Sequence, residues 1–223
     1  VQVDRQPAVA GQFYPADTAE LNSALTNLFS KAVESKNIKN VVAIISPHAG
    51  YVYSGEVAAS SFNQIDPNKN YENIFIIGSS HQFTFDGASI YSIGNFITPL
   101  GTVKVNRKLA EELIKKNKFL VDRIDAHLYE HSLEVQLPFL QSRMKKDFKI
   151  VPIVIGTQNS EMCKKIADAL RPFLNNKNLF IISTDFSHYP NYTDAVKIDK
   201  ATADAIASNS SKILLQTLEN NEM

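Results

Sequence analysis

Cysteine is nearly absent from this sequence. Only Cys163 carries a thiol among the 223 residues, so no disulfide can form within the chain. This agrees with a reducing compartment, and the opening residues VQVDRQPAVAGQFYP lack the basic and then apolar order of a secretory signal. We therefore predict a cytoplasmic protein. Because Cys163 lies in a polar helical pattern with no obvious activating partner, we interpret it as a structural residue.

Long apolar runs and an excess of one charge are also missing. The longest runs, such as VVAII, have about five residues, whereas a membrane-spanning helix needs roughly 18 or more. Lys plus Arg and Asp plus Glu both number 23, so no positive field is available to hold a phosphate backbone. We therefore expect neither a membrane nor a nucleic acid as partner.

Several catalytic and nucleotide-binding motifs do not occur. No G-x-S-x-G sequence is present, so a serine nucleophile of the α/β-hydrolase type is unsupported. The phosphate-binding sequences G-x-x-x-x-G-K-[ST] and G-x-G-x-x-G are missing as well. Any chemistry must therefore come from other residues.

Short apolar runs without alternation dominate what is present. Each has the length of a strand buried on both faces, and helical patterns separate them. The runs are VVAIIS at 41–46, NIFIIGSS at 73–80, KIVPIVIG at 149–156 and NLFIISTD at 178–185. We predict an α/β fold with a mostly parallel or mixed central sheet, helices on both faces and a β excursion at 87–105. A single domain is expected to span residues 1–223.

Three of the four runs are followed by a loop that contains a histidine: His48, His81 and His188. One strand-end histidine alone is more often a structural group, but the carboxyl ends of parallel strands share the edge where ligands bind. Two imidazoles with a carboxylate or thiolate form an open metal site, and a third imidazole can then transfer protons. The pattern favours a metal site.

Glu130, His131 and Glu134 crowd the start of a predicted helix in AHLYEHSLEVQLPF. The carboxylates could orient an imidazole, or they could favour the positive end of the helix, and both interpretations stay open. We place Glu130 and His131 near the pocket. His127 does not fit the H-E-x-x-H order of zinc proteases, so we interpret it as structural.

Five separated motifs, AGQFYPAD, ISPHAGYVYSG, GSSHQ, EHSLEVQLPF and STDFSHY, occur here in this order. In these motifs the chain resembles the Memo family, whose prokaryotic members are called AmmeMemoRadiSam system protein B. The resemblance extends from Arg5 to the last helices. It implies a fold similar to that of the class III extradiol dioxygenases, which use non-haem Fe(II).

The resemblance also implies roles for individual residues. His48 and His81 match the two metal-binding histidines of the family. Asp185 and His188 match polar groups of the same pocket, and the counterpart of His188 in the dioxygenases acts as an acid and base. Tyr53 matches a tyrosine of the pocket.

A third metal ligand is implied in the same way. Memo proteins supply a cysteine from a Cys-Gly segment after the last helix, where the dioxygenases supply a glutamate. This sequence ends at TLENNEM before such a segment, so we expect a chain truncated at its C-terminus, with this ligand beyond residue 223. The resemblance to the dioxygenases makes Fe(II) the expected divalent metal. Copper and zinc are the alternatives, because a thiolate in place of the carboxylate softens the site and favours them over iron.

Two classes of function follow. The first is a metal-dependent redox enzyme, dioxygenase-like, acting on a small molecule or peptide that the sequence does not identify; a metal-dependent hydrolase is a weaker variant. The second is a binding module that reuses a catalytic fold for a peptide or protein. The resemblance also implies an AMMECR-type domain and a radical SAM protein as partners. The fold alone establishes neither function.

Overall fold

The computed structural model describes residues 2–221. These residues form two compact units, which meet in the chain between Thr184 and Asp185. Among these residues, no helix combines the length and the apolar character that a bilayer crossing requires. The single domain expected for residues 1–223 stays a prediction.

The first unit contains six α-helices and eight strands among its described residues. The helices are α1 (Thr18–Lys31), α2 (Tyr51–Phe62), α3 (Arg107–Lys116), α4 (Asp125–Leu128), α5 (Leu137–Arg143) and α6 (Ser160–Leu170), with 3₁₀ turns at Glu134–Gln136 and Arg171–Phe173. The strands are β1 (Ala43–Ser46), β2 (Asn73–Ser79), β3 (Ala88–Ile90), β4 (Phe96–Thr98), β5 (Gly101–Val103), β6 (Leu120–Val121), β7 (Ile150–Ile155) and β8 (Asn178–Ser183).

Six strands form the central sheet in the order β1-β8-β2-β7-β3-β6. The four predicted apolar runs became β1, β2, β7 and β8, and these four strands run parallel. Strand β3 pairs antiparallel with β7, and β6 pairs parallel with β3. The predicted mostly parallel or mixed sheet is therefore confirmed. The predicted excursion at 87–105 contains β3 and the separate β4–β5 hairpin.

Helices cover both faces of this sheet, as the sequence predicts. Side chains alternate along each strand, so Ile74 and Ile76 of β2 face one layer while Phe75 faces the other. The first layer includes Leu21 and Leu25 of α1, Phe62 of α2 and Phe139 of α5. The second includes Ala110 and Leu113 of α3 with Ile166 and Leu170 of α6. Both faces being buried explains why the strands are continuously apolar.

Helix starts in this unit follow from polar residues that precede them. The Asp17 carboxylate accepts the backbone N–H groups at residues 19 and 20, which begins α1. The side chains of Asn106 and Asn159 cap α3 and α6 in the same way. Helices α1 and α2 pack closely at Gly55, where a Cβ atom would lie 2.9 Å from a methyl group of Leu28.

The second unit consists of two helices and the segment that precedes them. Helix α7 (Tyr192–Ala207) is capped by Asn191, and α8 (Ser211–Asn220) is capped by Ser210. The backbone N–H of Ser187 donates to the Asp199 carboxylate on α7 at 2.9 Å, which ties the preceding segment to the helix.

Candidate metal centre

Three histidines of the first unit form a cluster. One ring nitrogen from each of His48, His81 and His131 lies within 4.8 Å of the others. The ring centroids are 5.1 Å apart for His48 and His81, 5.5 Å for His48 and His131, and 4.4 Å for His81 and His131. Because imidazole nitrogen is the commonest side-chain ligand of transition metals, this group can bind a divalent metal ion.

The sheet brings two of these histidines together. His48 follows β1 and His81 follows β2, and both strands pair with β8 between them. The parallel direction of the three strands puts their carboxyl ends at one edge. His131 comes from the segment between α4 and the Glu134–Gln136 turn, so its position depends on tertiary packing.

Hydrogen bonds fix the orientation of the buried His48 ring. Its Nδ1 lies 3.0 Å from the hydroxyl oxygen of Ser183. That hydroxyl donates its proton to the carbonyl of Ser132 at 2.5 Å and accepts from the Gln136 amide at 2.9 Å. A hydroxyl has a single proton, so Nδ1 of His48 must be the donor. In the neutral ring, Nε2 is then the unprotonated nitrogen, which can bind a metal ion.

A buried carboxylate fixes His81 instead. Glu130 Oε1 lies 2.9 Å from His81 Nδ1, and Oε2 accepts the backbone N–H of His81 at 2.6 Å. Oε1 also accepts the Ser132 N–H at 2.8 Å and lies 3.6 Å from His131 Nδ1. A carboxylate on Nδ1 sets Nε2 as the metal-binding nitrogen and raises its basicity. Of the two interpretations left open for Glu130, the orienting one describes this geometry.

Glu130 is ionised at neutral pH. Burial by itself raises the pKa of this carboxyl, but the hydrogen bonds from the His81 ring, the His81 N–H and the Ser132 N–H lower the pKa to about 2. The site therefore contains one fixed negative charge beside two imidazoles. That charge favours a bound cation.

Glu134 has a different role from Glu130. It forms a fully buried ion pair with Arg5, and its carboxylate also accepts the N–H groups of Ala8 and Val9 and the hydroxyl of Tyr14. Burial and the nearby Glu134 charge raise the pKa of Tyr14 far above its usual value. Glu134 thus ties down the N-terminal segment.

Arg5 links that segment to the cluster. Its Nε donates to the carbonyl of His127 at 3.0 Å, and one terminal nitrogen donates to the carbonyl of Glu130 at 2.6 Å. The backbone on which Glu130 and His131 lie is therefore held by a guanidinium from the start of the chain. Sequence reasoning missed Arg5 because it lies in a segment without periodicity, and it missed Ser183 because the apolar run at 178–185 predicts a strand and not a functional residue.

Tyr53 lies on α2 and is 88% exposed. It lines a cavity of about 720 Å³ between α1, α2 and residues 11–17. Phe13 lines the same cavity, and its ring centroid is 4.8 Å from that of His131. Phe13 thus separates the cavity that contains Tyr53 from the histidine cluster, and the role predicted for Tyr53 stays a prediction.

Asp185 and His188 belong to the second unit. His188 is exposed, its Nδ1 lies 3.0 Å from the carbonyl of Phe186, and its ring centroid lies 5.9 Å from that of Tyr189. The roles predicted for Asp185 and His188 in the pocket stay predictions.

The residues interpreted as structural have structural surroundings. His127 is buried on α4, with Nε2 3.0 Å from the Ser89 hydroxyl, and its ring packs against Tyr91. Burial, with the Arg5 charge, lowers its pKa to about 3, so this imidazole is neutral. Cys163 lies on α6, where burial raises the pKa of the thiol and so opposes formation of a thiolate.

Comparison with known proteins gives a consistent result. The family model described as "Memo-like protein" matches residues 5–223. A "MEMO1 family protein" of Nitrosopumilus maritimus is 37% identical over 207 residues, covering 91% of this chain and 75% of the relative. A protein of the same description in Aquifex aeolicus is 39% identical over 203 residues, covering 91% of this chain and 74% of the relative. One in Thermoplasma acidophilum is 35% identical over 205 residues, covering 92% and 74%.

Proposed function

Because this chain belongs to the Memo-like protein family, we propose that it is a metal-dependent redox enzyme whose metal ion is bound by His48 and His81. The observation that carries the proposal is the cluster of ring nitrogens within 4.8 Å at the carboxyl ends of β1 and β2. The hydrogen bonds of Ser183 and Glu130 support it, because they place the proton of each neutral ring on Nδ1 and so make Nε2 the nitrogen that can bind a metal ion.

His131 is the third imidazole of this set. The resemblance implies a cysteine from beyond residue 223 as the third ligand, which would leave His131 to line the pocket. The position of its ring supports a ligand role as well, since one of its nitrogens lies within the same 4.8 Å. Metal content of a His131→Ala variant separates the two roles: a ligand loses metal, and a pocket residue does not.

Fe(II) is the proposed metal, with copper or zinc as alternatives. Imidazole ligands suit all three, and a thiolate would shift the preference toward the softer ions. When bound, such an ion supplies a Lewis acid or a redox centre. Glu130 and Ser183 would keep the two rings in their metal-binding orientation. His188, by resemblance, would transfer a proton beside Asp185.

The alternative is a module that binds a peptide or protein without catalysis. The cavity beside Phe13 favours it, since about 720 Å³ of lined space lies close to the cluster. An AMMECR-type domain and a radical SAM protein are the proposed partners. Binding of these partners that persists in the His48→Ala and His81→Ala variants would support this alternative over the metal-dependent enzyme.

The deciding experiment is elemental analysis of anaerobically purified protein, beside the His48→Ala, His81→Ala and His188→Ala variants. We expect stoichiometric metal in the wild type, its loss in the first two variants and its retention in His188→Ala. Retention there would show that removing a histidine does not by itself remove the metal. Absence of bound metal, with no thermal shift on adding Fe(II), Cu(I) or Zn(II), would overturn the proposal.

The redox step needs its own test. Metal-loaded wild type and His188→Ala should be compared for O2 uptake with a panel of catechols and other small phenols. We expect uptake with at least one compound in the wild type and its loss in the variant, whose metal content stays normal. Metal binding without any O2 uptake would retain the metal site and reject the dioxygenase-like reaction.

A further inference from the structure

The cavity between α1, α2 and residues 11–17 is a separate feature from the histidine cluster. Its volume of about 720 Å³ lies within the range of roughly 300–1,000 Å³ that is usual for small-molecule sites. Helix α1 supplies one wall, helix α2 the other, and the Gly11–Asp17 segment closes one side. The cavity is therefore large enough for a small organic ligand.

Aromatic side chains dominate the apolar lining. Phe13, Tyr14, Tyr51 and Tyr53 all contribute to it. The hydroxyls of Tyr14 and Tyr51 are already used, because they donate to the Glu134 carboxylate and to the carbonyl of Val135. These two side chains are only 3% and 5% exposed and pack against each other, with ring centroids 5.4 Å apart. The aromatic surface open to a ligand therefore comes mainly from half-buried Phe13 and exposed Tyr53. Ring faces carry partial negative charge and attract cations.

Most of the charged side chains around the cavity are negative, like the partial charge on the ring faces. Asp17, Glu20 and Glu56 line it, and Lys31 is the one basic residue in the lining. Asp17 is engaged as the cap of α1. Within residues 2–221, the carboxylates of Glu20 and Glu56 form no hydrogen bond and no salt bridge. An anionic ligand would meet repulsion here, and a cationic one would meet carboxylates at both walls.

From this combination we propose that the cavity binds a small organic ammonium ion with an aromatic or aliphatic body. The rings hold the body and part of the charge, and the Glu20 and Glu56 carboxylates receive the ammonium group. This inference does not rest on metal binding, so it can be tested on protein with or without a metal ion. Phe13 lies between the two sites, since it lines the cavity and its ring packs against that of His131.

Three probes with one phenol body and different charges test the proposal: tyramine, 4-ethylphenol and 3-(4-hydroxyphenyl)propanoate. Binding to the full chain is measured by two-dimensional NMR titration at neutral pH. We expect tyramine to bind about fivefold or more tightly than 4-ethylphenol, in line with roughly 1 kcal/mol for a cation on aromatic rings. The propanoate should bind most weakly, and the shifted amides should lie in α1, α2 and residues 11–17.

Two variants sharpen the result. The double substitution Glu20→Gln and Glu56→Gln should remove the preference for tyramine and leave the affinity for 4-ethylphenol unchanged. The matched control is Glu111→Gln with Glu112→Gln, which removes the same charge from exposed positions of α3. Tyr53→Ala, at an exposed position, should lower the binding affinity of all three probes. Equal affinities for the three probes, or shifts that map outside the cavity, would overturn the proposal.

Discussion

His48 and His127 show how little burial alone reveals about a histidine. Both are buried, at 4% and 1% exposure, and each has a ring nitrogen 3.0 Å from a serine hydroxyl. Two other imidazoles surround His48, whereas the neighbours of His127 are an aromatic ring and the Arg5 guanidinium. The neighbours, and not the burial, separate a candidate metal ligand from a core residue.

This contrast extends to the regions around the two histidines. We expect changes near His127 to alter mainly the free energy of unfolding, and changes near His48 and His81 to alter mainly metal affinity. Arg5 is the point where the regions meet, because it donates to the carbonyls of both His127 and Glu130.

Arg5→Met should have the largest effect. It leaves the buried Glu134 carboxylate without its cation, which typically costs about 3–5 kcal/mol of unfolding free energy. Urea denaturation measures the change. The control is Arg171→Met, which removes an exposed ion pair with Asp168 and should cost at most about 1 kcal/mol. Similar small losses in both variants would show that the buried pair is not essential.

Gly78→Ala perturbs the cluster region through packing. A Cβ at Gly78 on β2 would lie 2.6 Å from the Ser132 hydroxyl oxygen, so the segment with Glu130 must shift. We expect a loss of about 1–3 kcal/mol in unfolding free energy and weaker metal binding. Gly50→Ala serves as control, since the nearest contact of a Cβ there is 3.6 Å. Unchanged metal affinity in Gly78→Ala would argue that the segment is not part of the site.

Glu130→Gln tests how His81 is held, independently of packing. The amide removes the charge and one acceptor at His81 Nδ1, so we expect metal affinity to fall about 10–100-fold. Ser183→Ala removes the neutral partner of His48 and should have the smaller effect. Competition with a metal chelator measures both. A larger loss in Ser183→Ala would reverse the ranking of the two partners.

The pH dependence of stability tests the His127 region. Its folded pKa of about 3 lies below the usual value near 6.5, so the unfolded chain binds more protons between these values. The contribution of His127 to the free energy of unfolding should therefore fall on acidification from about pH 6.5 toward 3, by at most roughly 1.4 kcal/mol per pH unit. The pKa of Glu130 is lowered to about 2, so this group affects the pH dependence of stability only below its ordinary pKa of 4.5.

His127→Gln provides the comparison for this titration. It carries no titrating ring, so the metal-free variant should lose less stability than the wild type between pH 6.5 and 4. Identical slopes for the two proteins would mean that other groups account for the acid sensitivity.

The sequence predicts the centre of the fold better than its edges. The four short apolar runs became the four parallel strands, because burial on both faces imposes a continuous apolar pattern. Strands β3 and β6 have only three and two residues, too few to show a period. Their pairing depends on neighbours that are distant in sequence.

The candidate site also contains residues that the sequence positions and residues that only tertiary contacts position. His48 and His81 could be placed together from sequence because strand ends fix them, and the structure brings them together. His131 could be placed near the pocket, but the position of its ring depends on the Glu130 and Arg5 contacts. Arg5, 0% exposed, comes from a segment without periodicity, where no local pattern indicates burial.

The position of β8 has a consequence for biosynthesis. Strands β1 and β2 do not pair with each other, because β8, the last strand among the described residues, lies between them. A ribosome-bound chain that ends before residue 178 contains all three histidines of the cluster but not the strand that spaces the first two. It also lacks Ser183, which orients His48. The histidine cluster can therefore assemble in this geometry only late in synthesis, after β8 has been made.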